Sequence, residues 1–306
     1  MVSTKAQLYV AYLRATGQKR FYDDARTLHR RLHRHQKPSM AKPPRGIRRR
    51  CDVERREVEG FACWTLRPRD GRVDGPHVLH LHGGGYVEEI ESHHWRFAAE
   101  LVTRLGCAVT LPIYPLVPRH DHTDTLPMVQ AAYDLVADDR ERHVLSGDSA
   151  GAALALAIAQ RLRDEGRAQP DRLVLISPWL DVGLEDPISL VLDEHDPMLG
   201  ITGLREAGRM YADGADPHDP RISPLYADLT GLGPFSLFIG TRDLLLPDAR
   251  RFAAQARDAG ADVDFHEYRG MFHNWVMQNI PEGRETLNHL ERILRREIPV
   301  HRLGNG

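Results

Sequence analysis

Residues 143–165 constrain the fold of this 306-residue chain more than any other stretch. The apolar run His143-Val144-Leu145 leads into Gly147-Asp148-Ser149-Ala150-Gly151, and Ala152–Ala159 follows with no Pro or Gly. An extended run, a turn of small residues and then strong helix formers make the strand, elbow and helix of a G-x-S-x-G segment. The turn is so tight that only small residues fit beside the serine. It pushes Ser149 above a sheet edge and puts the next N–H near a helix N-terminus. The pentapeptide alone recurs by chance; its context and two further motifs give it weight.

The rest of the chain supplies the sheet such an elbow needs. Period and turn signals predict a hairpin over Cys51–Val58 and Phe61–Arg67, then strands over His77–His82, Cys107–Ile113, His143–Ser146, Arg172–Ser177, Phe235–Gly240 and Asp262–Tyr268. Helices are expected over Trp95–Leu105, Thr125–Asp138, Ser149–Glu165, Pro247–Ala259 and Arg284–Glu297. This order predicts an α/β fold, a mostly parallel eight-stranded sheet with helices on both faces. Right-handed crossovers would bring the loops that follow the strands to one edge. Between residues 179 and 234 the alternation stops, and a helical patch near Gly203–Ala212 stands among Asp, Pro and Gly. That length exceeds an ordinary loop and reads as an inserted cap. Residues 1–45 read as cap helices split at Gly17 plus a Pro-rich linker, and 46–306 as the main domain. His29 and His33 lie four apart among arginines, which predicts a solvated basic face rather than a chelate.

Composition narrows the partners. A net charge of -2 gives no bias toward nucleic acid or anionic lipid. No apolar stretch reaches 18 residues and the first residues lack a signal-peptide pattern, so neither membrane insertion nor export is expected. The three cysteines form no C-x-x-C pair, which speaks against a disulfide framework or a zinc site and fits a cytoplasmic setting.

A serine hydroxyl becomes a nucleophile only with a base, a group that orients the base, and donors for the oxyanion. His273, in the loop after the last expected strand, is the candidate base. Asp243, just after the strand ending at Gly240, is the candidate acid; its rival Asp248 fits better as a helix-start residue. His82-Gly83-Gly84-Gly85 follows a buried strand, and its glycines let N–H groups converge without Cβ obstruction. Gly83, Gly84 and Ala150 are the candidate oxyanion donors, with His82 orienting the loop. This chemistry calls for no metal and no organic cofactor. Tyr86, Trp179, Met198 and Leu199 are candidate pocket walls.

Taken together, His82–Gly85, Gly147–Gly151, Asp243 and His273 occur in the order found in the hormone-sensitive lipase family of α/β-hydrolases, and the chain resembles that family from about residue 50. Ser177-Pro178-Trp179 and Ser223-Pro224-Leu225-Tyr226 resemble family segments flanking the cap. Two departures stand out. Ala152 replaces a second glycine after the elbow, and Tyr114-Pro115-Leu116-Val117-Pro118-Arg119 lacks the family's supporting glutamate. The closer likeness is to the bacterial esterase and ε-lactone hydrolase branch. The resemblance implies hydrolysis of short to medium acyl esters through an acyl-serine, and a homodimer. Lactonase, deacetylase and amidase activity share that chemistry and stay open. Plant gibberellin receptors use this fold only to bind a small ligand and have lost the histidine, which this chain keeps as His273.

Overall fold

A computed structural model of the chain describes residues 2–139 and 142–296. The chain opens with α1 (Thr4–Thr16), α2 (Ala25–His35) and α3 (Arg45–Arg50). Ser3 caps α1 by accepting from the Ala6 N–H, Gly17 ends it at φ 64°, and Asp24 caps α2 through the Thr27 N–H. The hairpin β1 (Cys51–Val58) and β2 (Phe61–Pro68) follows, then β3 (His77–Leu81), α4 (Ser92–Leu105), β4 (Ala108–Pro112) and α5 (His122–Asp139). Next come β5 (His143–Asp148), α6 (Ala150–Asp164) and β6 (Arg172–Ile176). The insertion carries α7 (Pro187–Asp193) and α8 (Ile201–Ala212). Then β7 (Phe235–Gly240), α9 (Leu246–Asp258), β8 (Val263–Tyr268) and α10 (Pro281–Arg296) complete the described chain. Glu297, the expected end of the last helix, lies outside the described residues.

The strands form one eight-stranded sheet in the order β1-β2-β4-β3-β5-β6-β7-β8, antiparallel at β1–β2 and β2–β4 and parallel elsewhere. After β3 the chain steps outward to β4 and then returns to the other side of β3 as β5. The carboxyl ends of β3 and β5 thus flank the point where strand order reverses, which is where open α/β sheets bind ligands. Leu81 pairs with Gly147 there, so the glycine loop and the elbow leave the sheet side by side. All of β3 is buried, as a strand covered on both faces must be. One face packs under α5, α6 and α9, the other under α1, α3, α4 and α10. The alanines of α6 bring that helix close to the sheet and bury nearly its whole length.

The N-terminal helices and the insertion meet over the carboxyl edge. The Gly203 N–H donates to the Tyr22 carbonyl at 2.8 Å, and α2 packs on α8. The basic face expected on α2 is in part a contact surface: His29 Nε2 is 2.7 Å from Glu206 Oε1 of α8, and His35 Nδ1 is 2.5 Å from Glu88 Oε1. Two helices had no clear signal in the sequence, α3 just after the Pro-rich stretch and the seven-residue α7. All three cysteines are free and buried, and burial pushes the Cys63 and Cys107 thiols up to about 12.

Candidate active site

The elbow positions Ser149. This residue sits at φ 53°, ψ -121°, a strained region for any residue with a Cβ. Its N–H is held by the Ile176 carbonyl at 2.9 Å, and its own carbonyl accepts from Trp179 at 3.1 Å, so the strain is fixed by the neighbouring strand β6. The small residues are obligatory: a Cβ at Gly147 would collide with the Gly151 carbonyl, and one at Gly151 with the Leu81 carbonyl.

Two loops bring the candidate acid and base together. The Arg242 N–H donates to the Met271 carbonyl at 2.9 Å, pinning the turn after β7 to the turn after β8. Within that clasp His273 Nδ1 lies 2.9 Å from Asp243 Oδ2, while Asp243 Oδ1 accepts from the Leu245 N–H at 3.1 Å. Both side chains are buried. Burial opposes the imidazolium of His273, but Asp243, with Asp196 and Asp148 beyond it, outweighs burial and raises the pKa above the ordinary histidine value. Ser149 and His273 line the same cavity, and no hydrogen bond joins the hydroxyl to the ring. Such bonds are often long before substrate arrives. Asp248 stands apart in the first turn of α9, where burial pushes its carboxyl up to about 7.

Gly83 and Gly84 line the cavity beside Ser149. Among the described residues, the N–H groups of Gly83, Gly84 and Ala150 find no acceptor. Unpaired donors around a cavity are what an oxyanion hole requires. His82 holds this loop: its Nδ1 is 2.7 Å from the Gly83 carbonyl, and its ring stacks on Tyr114 at 4.3 Å. Burial pushes the His82 imidazole down to about 3, so at neutral pH it is an uncharged strut. The Tyr114 hydroxyl donates to the His82 carbonyl at 2.5 Å, and Gln36 Nε2 donates to the carbonyls of Val87 and Val117. These bonds brace the segment that lacks the family's glutamate.

Of the four candidate wall residues, Met198 and Leu199 line the cavity, whereas Tyr86 and Trp179 do not. Tyr86 stacks on Tyr211 at 3.7 Å and Trp179 donates its indole N–H to the Asp181 carbonyl, both fully buried beneath the site. Sequence reasoning also missed a buried carboxylate on each side of His273. Asp148 accepts from Asn274 Nδ2 at 2.6 Å and lies 3.4 Å from His94 Nε2 and 3.3 Å from His80 Nε2. Asp148 belongs to the elbow and Asn274 neighbours His273, yet nothing in their spacing joins them. Asp196 accepts from the N–H groups of Met198 and Leu199 through Oδ1 and from Leu244 through Oδ2, tying the cavity wall to the residue after Asp243. Burial, then the charge of Asp243, raises the Asp196 carboxyl. Gln18 and Tyr22 of the N-terminal segment line the cavity too, as do Glu88, Glu89 and Glu91.

A strained serine at a sheet switch point, with a glycine loop beside it and an imidazole–carboxylate pair across the cavity, defines a serine hydrolase of the α/β type. The chain belongs to the alpha/beta hydrolase fold family, whose model matches residues 78–277. It is 35% identical over 238 residues to an acetyl-hydrolase of Streptomyces hygroscopicus, covering 76% of this chain and 80% of the relative. An esterase of Acinetobacter venetianus is 34% identical over 216 residues, covering 69% of this chain and 71% of the relative. Among solved structures, an esterase of the bacterial hormone-sensitive lipase family superposes with a TM-score of 0.81 at 28% identity, covering 97% of this chain and 99% of that one. The protein is a carboxylic-ester hydrolase of this hormone-sensitive-lipase type.

Proposed function

We propose that the protein hydrolyses short acyl esters, with Ser149 as nucleophile, His273 as general base and Asp243 as the group that orients it. One observation carries this reading: a serine at positive φ, an imidazole bonded to a buried carboxylate, and unpaired N–H groups surround a single cavity. In the proposed cycle the His273 ring takes the Ser149 proton as Oγ attacks the ester carbonyl. The N–H groups of Gly83, Gly84 and Ala150 receive the oxyanion, and loss of one such donor costs on the order of 3 kcal/mol of barrier. The imidazolium then protonates the leaving alcohol, and the same ring activates the water that releases the acid.

The cavity volume is about 70 Å³, well under the roughly 150 Å³ that admits a benzene ring. That supports an acyl group of acetyl size against Met198 and Leu199. Three glutamates and no Lys or Arg stand among the described lining residues, which supports neutral over anionic esters. The N-terminal 45 residues and the insertion at about 179–234 are proposed to act together as the cap that limits this space. A cytoplasmic setting is proposed from the three free, buried cysteines. A homodimer is proposed from the family resemblance alone and is checked by light scattering.

Ser149→Ala is expected to abolish turnover of p-nitrophenyl acetate, and undiminished hydrolysis by that variant would sink the assignment. A panel of lactones, amides and acetylated sugars against simple esters separates the activities that share this triad.

A further inference from the structure

The free edge of the sheet carries a second cluster of polar chemistry, and none of its residues lines the catalytic cavity. Asp264 and His266 stand two residues apart on β8, so their side chains leave the same face of the strand. On that face α10 contributes His289, whose ring lies 4.2 Å from that of His266. One carboxylate oxygen of Asp264 and one nitrogen of each imidazole lie within 4.8 Å of one another.

The detail that matters is the pairing of His266 with Asp264. His266 Nε2 is 3.1 Å from Asp264 Oδ1, yet this buried nitrogen makes no hydrogen bond among the described residues. The two atoms are close but not aligned on each other, as when both lone pairs aim at a third point. The separation also suits an ion between them: bonds of about 2.0 Å in a tetrahedron give an edge of about 3.3 Å. The surroundings hold the donors in place. Phe238 stacks against His266 at 4.8 Å, and the Tyr268 hydroxyl is 3.4 Å from His289 Nδ1, a contact that orients the ring.

We propose that Asp264, His266 and His289 form a binding site for one divalent transition-metal ion of the zinc type. Two imidazoles and one carboxylate match zinc and its neighbours, whereas magnesium and calcium prefer all-oxygen sets. Water completes the coordination, and the half-exposed Asp264 gives the ion a path in. The ion ties the edge strand β8 to α10. It binds the folded chain and therefore raises the melting temperature, while ester hydrolysis proceeds without it. The other cluster of this kind, His35, Glu88 and Glu91, is a weaker candidate: both Glu88 oxygens are taken, by His35 and by the Tyr22 hydroxyl.

The test is a zinc titration of the chelator-treated full chain against a chromogenic competitor, with thermal denaturation in parallel and the visible spectrum of bound Co2+ as a check on the donors. The wild type should bind one ion per chain and melt higher with zinc. His289→Gln, His266→Gln and Asp264→Asn should each weaken binding by about tenfold or more and remove the thermal shift, whereas His35→Gln binds as wild type. Hydrolysis of p-nitrophenyl acetate in metal-free buffer reports that each variant is folded, and Asp264→Asn, at the solvent edge, keeps the test open if a histidine variant does not fold. The proposal fails if the wild type takes up no zinc at micromolar concentration, if the three variants bind it like wild type, or if His35→Gln alone loses it.

Discussion

At the scale of single residues, the surroundings of His273 matter as much as its partner. Three buried carboxylates, Asp243, Asp196 and Asp148, face this imidazole, and together they hold its pKa above the ordinary value despite burial. A general base works only when neutral, so with His273 in its proposed role kcat/KM should fall as pH drops through that raised pKa. Asp196→Asn removes one of the negative charges and keeps an oxygen for the Met198 and Leu199 N–H groups, while the Leu244 N–H loses its acceptor. The imidazolium is then less favoured, and the acidic limb of the pH–rate profile should move to lower pH. A purely structural role for Asp196 would lower activity at every pH and leave the limb where it was, so the profile separates the two. Asp196 was not legible in the sequence. It lies 47 positions from Asp243 in an insertion without periodic pattern, and only folding brings its carboxylate to the Leu244 N–H.

At the scale of elements, legibility followed the strength of local signals. The elbow, the glycine loop and the turns after β7 and β8 were readable because each couples a strand period to an abrupt run of small or turn-forming residues. The braces were not: Gln36, Tyr114 and His94 act through contacts between elements distant in sequence. Helix α7 escaped because seven residues hold too few turns to show a period, and three of them, Ile188, Leu190 and Val191, are exposed apolar side chains that blur the pattern. Ala152 illustrates how an element tolerates a departure from family pattern. Its side chain is fully buried in the first turn of α6, and its N–H donates to the Ser149 carbonyl at 3.1 Å. Ala152→Gly should therefore cost about 1 kcal/mol of stability, from helix propensity and a lost buried methyl, with kcat unchanged. Urea denaturation beside steady-state kinetics checks both halves, and a large fall in kcat would mean that the methyl supports the elbow itself.

At the scale of the whole molecule, the sheet sets the site at its switch point, and buried acidic groups stand both around that site and away from it. Asp248, in the first turn of α9 and apart from the site, bears on global stability. Its side chain is 1% exposed, Oδ2 has no hydrogen-bond partner among the described residues, and burial followed by Asp181 and Asp186 pushes the carboxyl up to about 7. In the unfolded chain the same carboxyl titrates at the ordinary value near 4. Between those two values the folded form holds a proton that the unfolded form has released. Stability from this group is thus fully present below pH 4, declines as pH rises to about 7, and is constant above that. Asp248→Asn cannot titrate. Its unfolding free energy should match wild type near pH 4 and exceed it by on the order of 2–4 kcal/mol at pH 8. Denaturant unfolding at the two pH values measures the gap, and a gap that fails to widen with pH would show that Asp248 is paired in the folded protein.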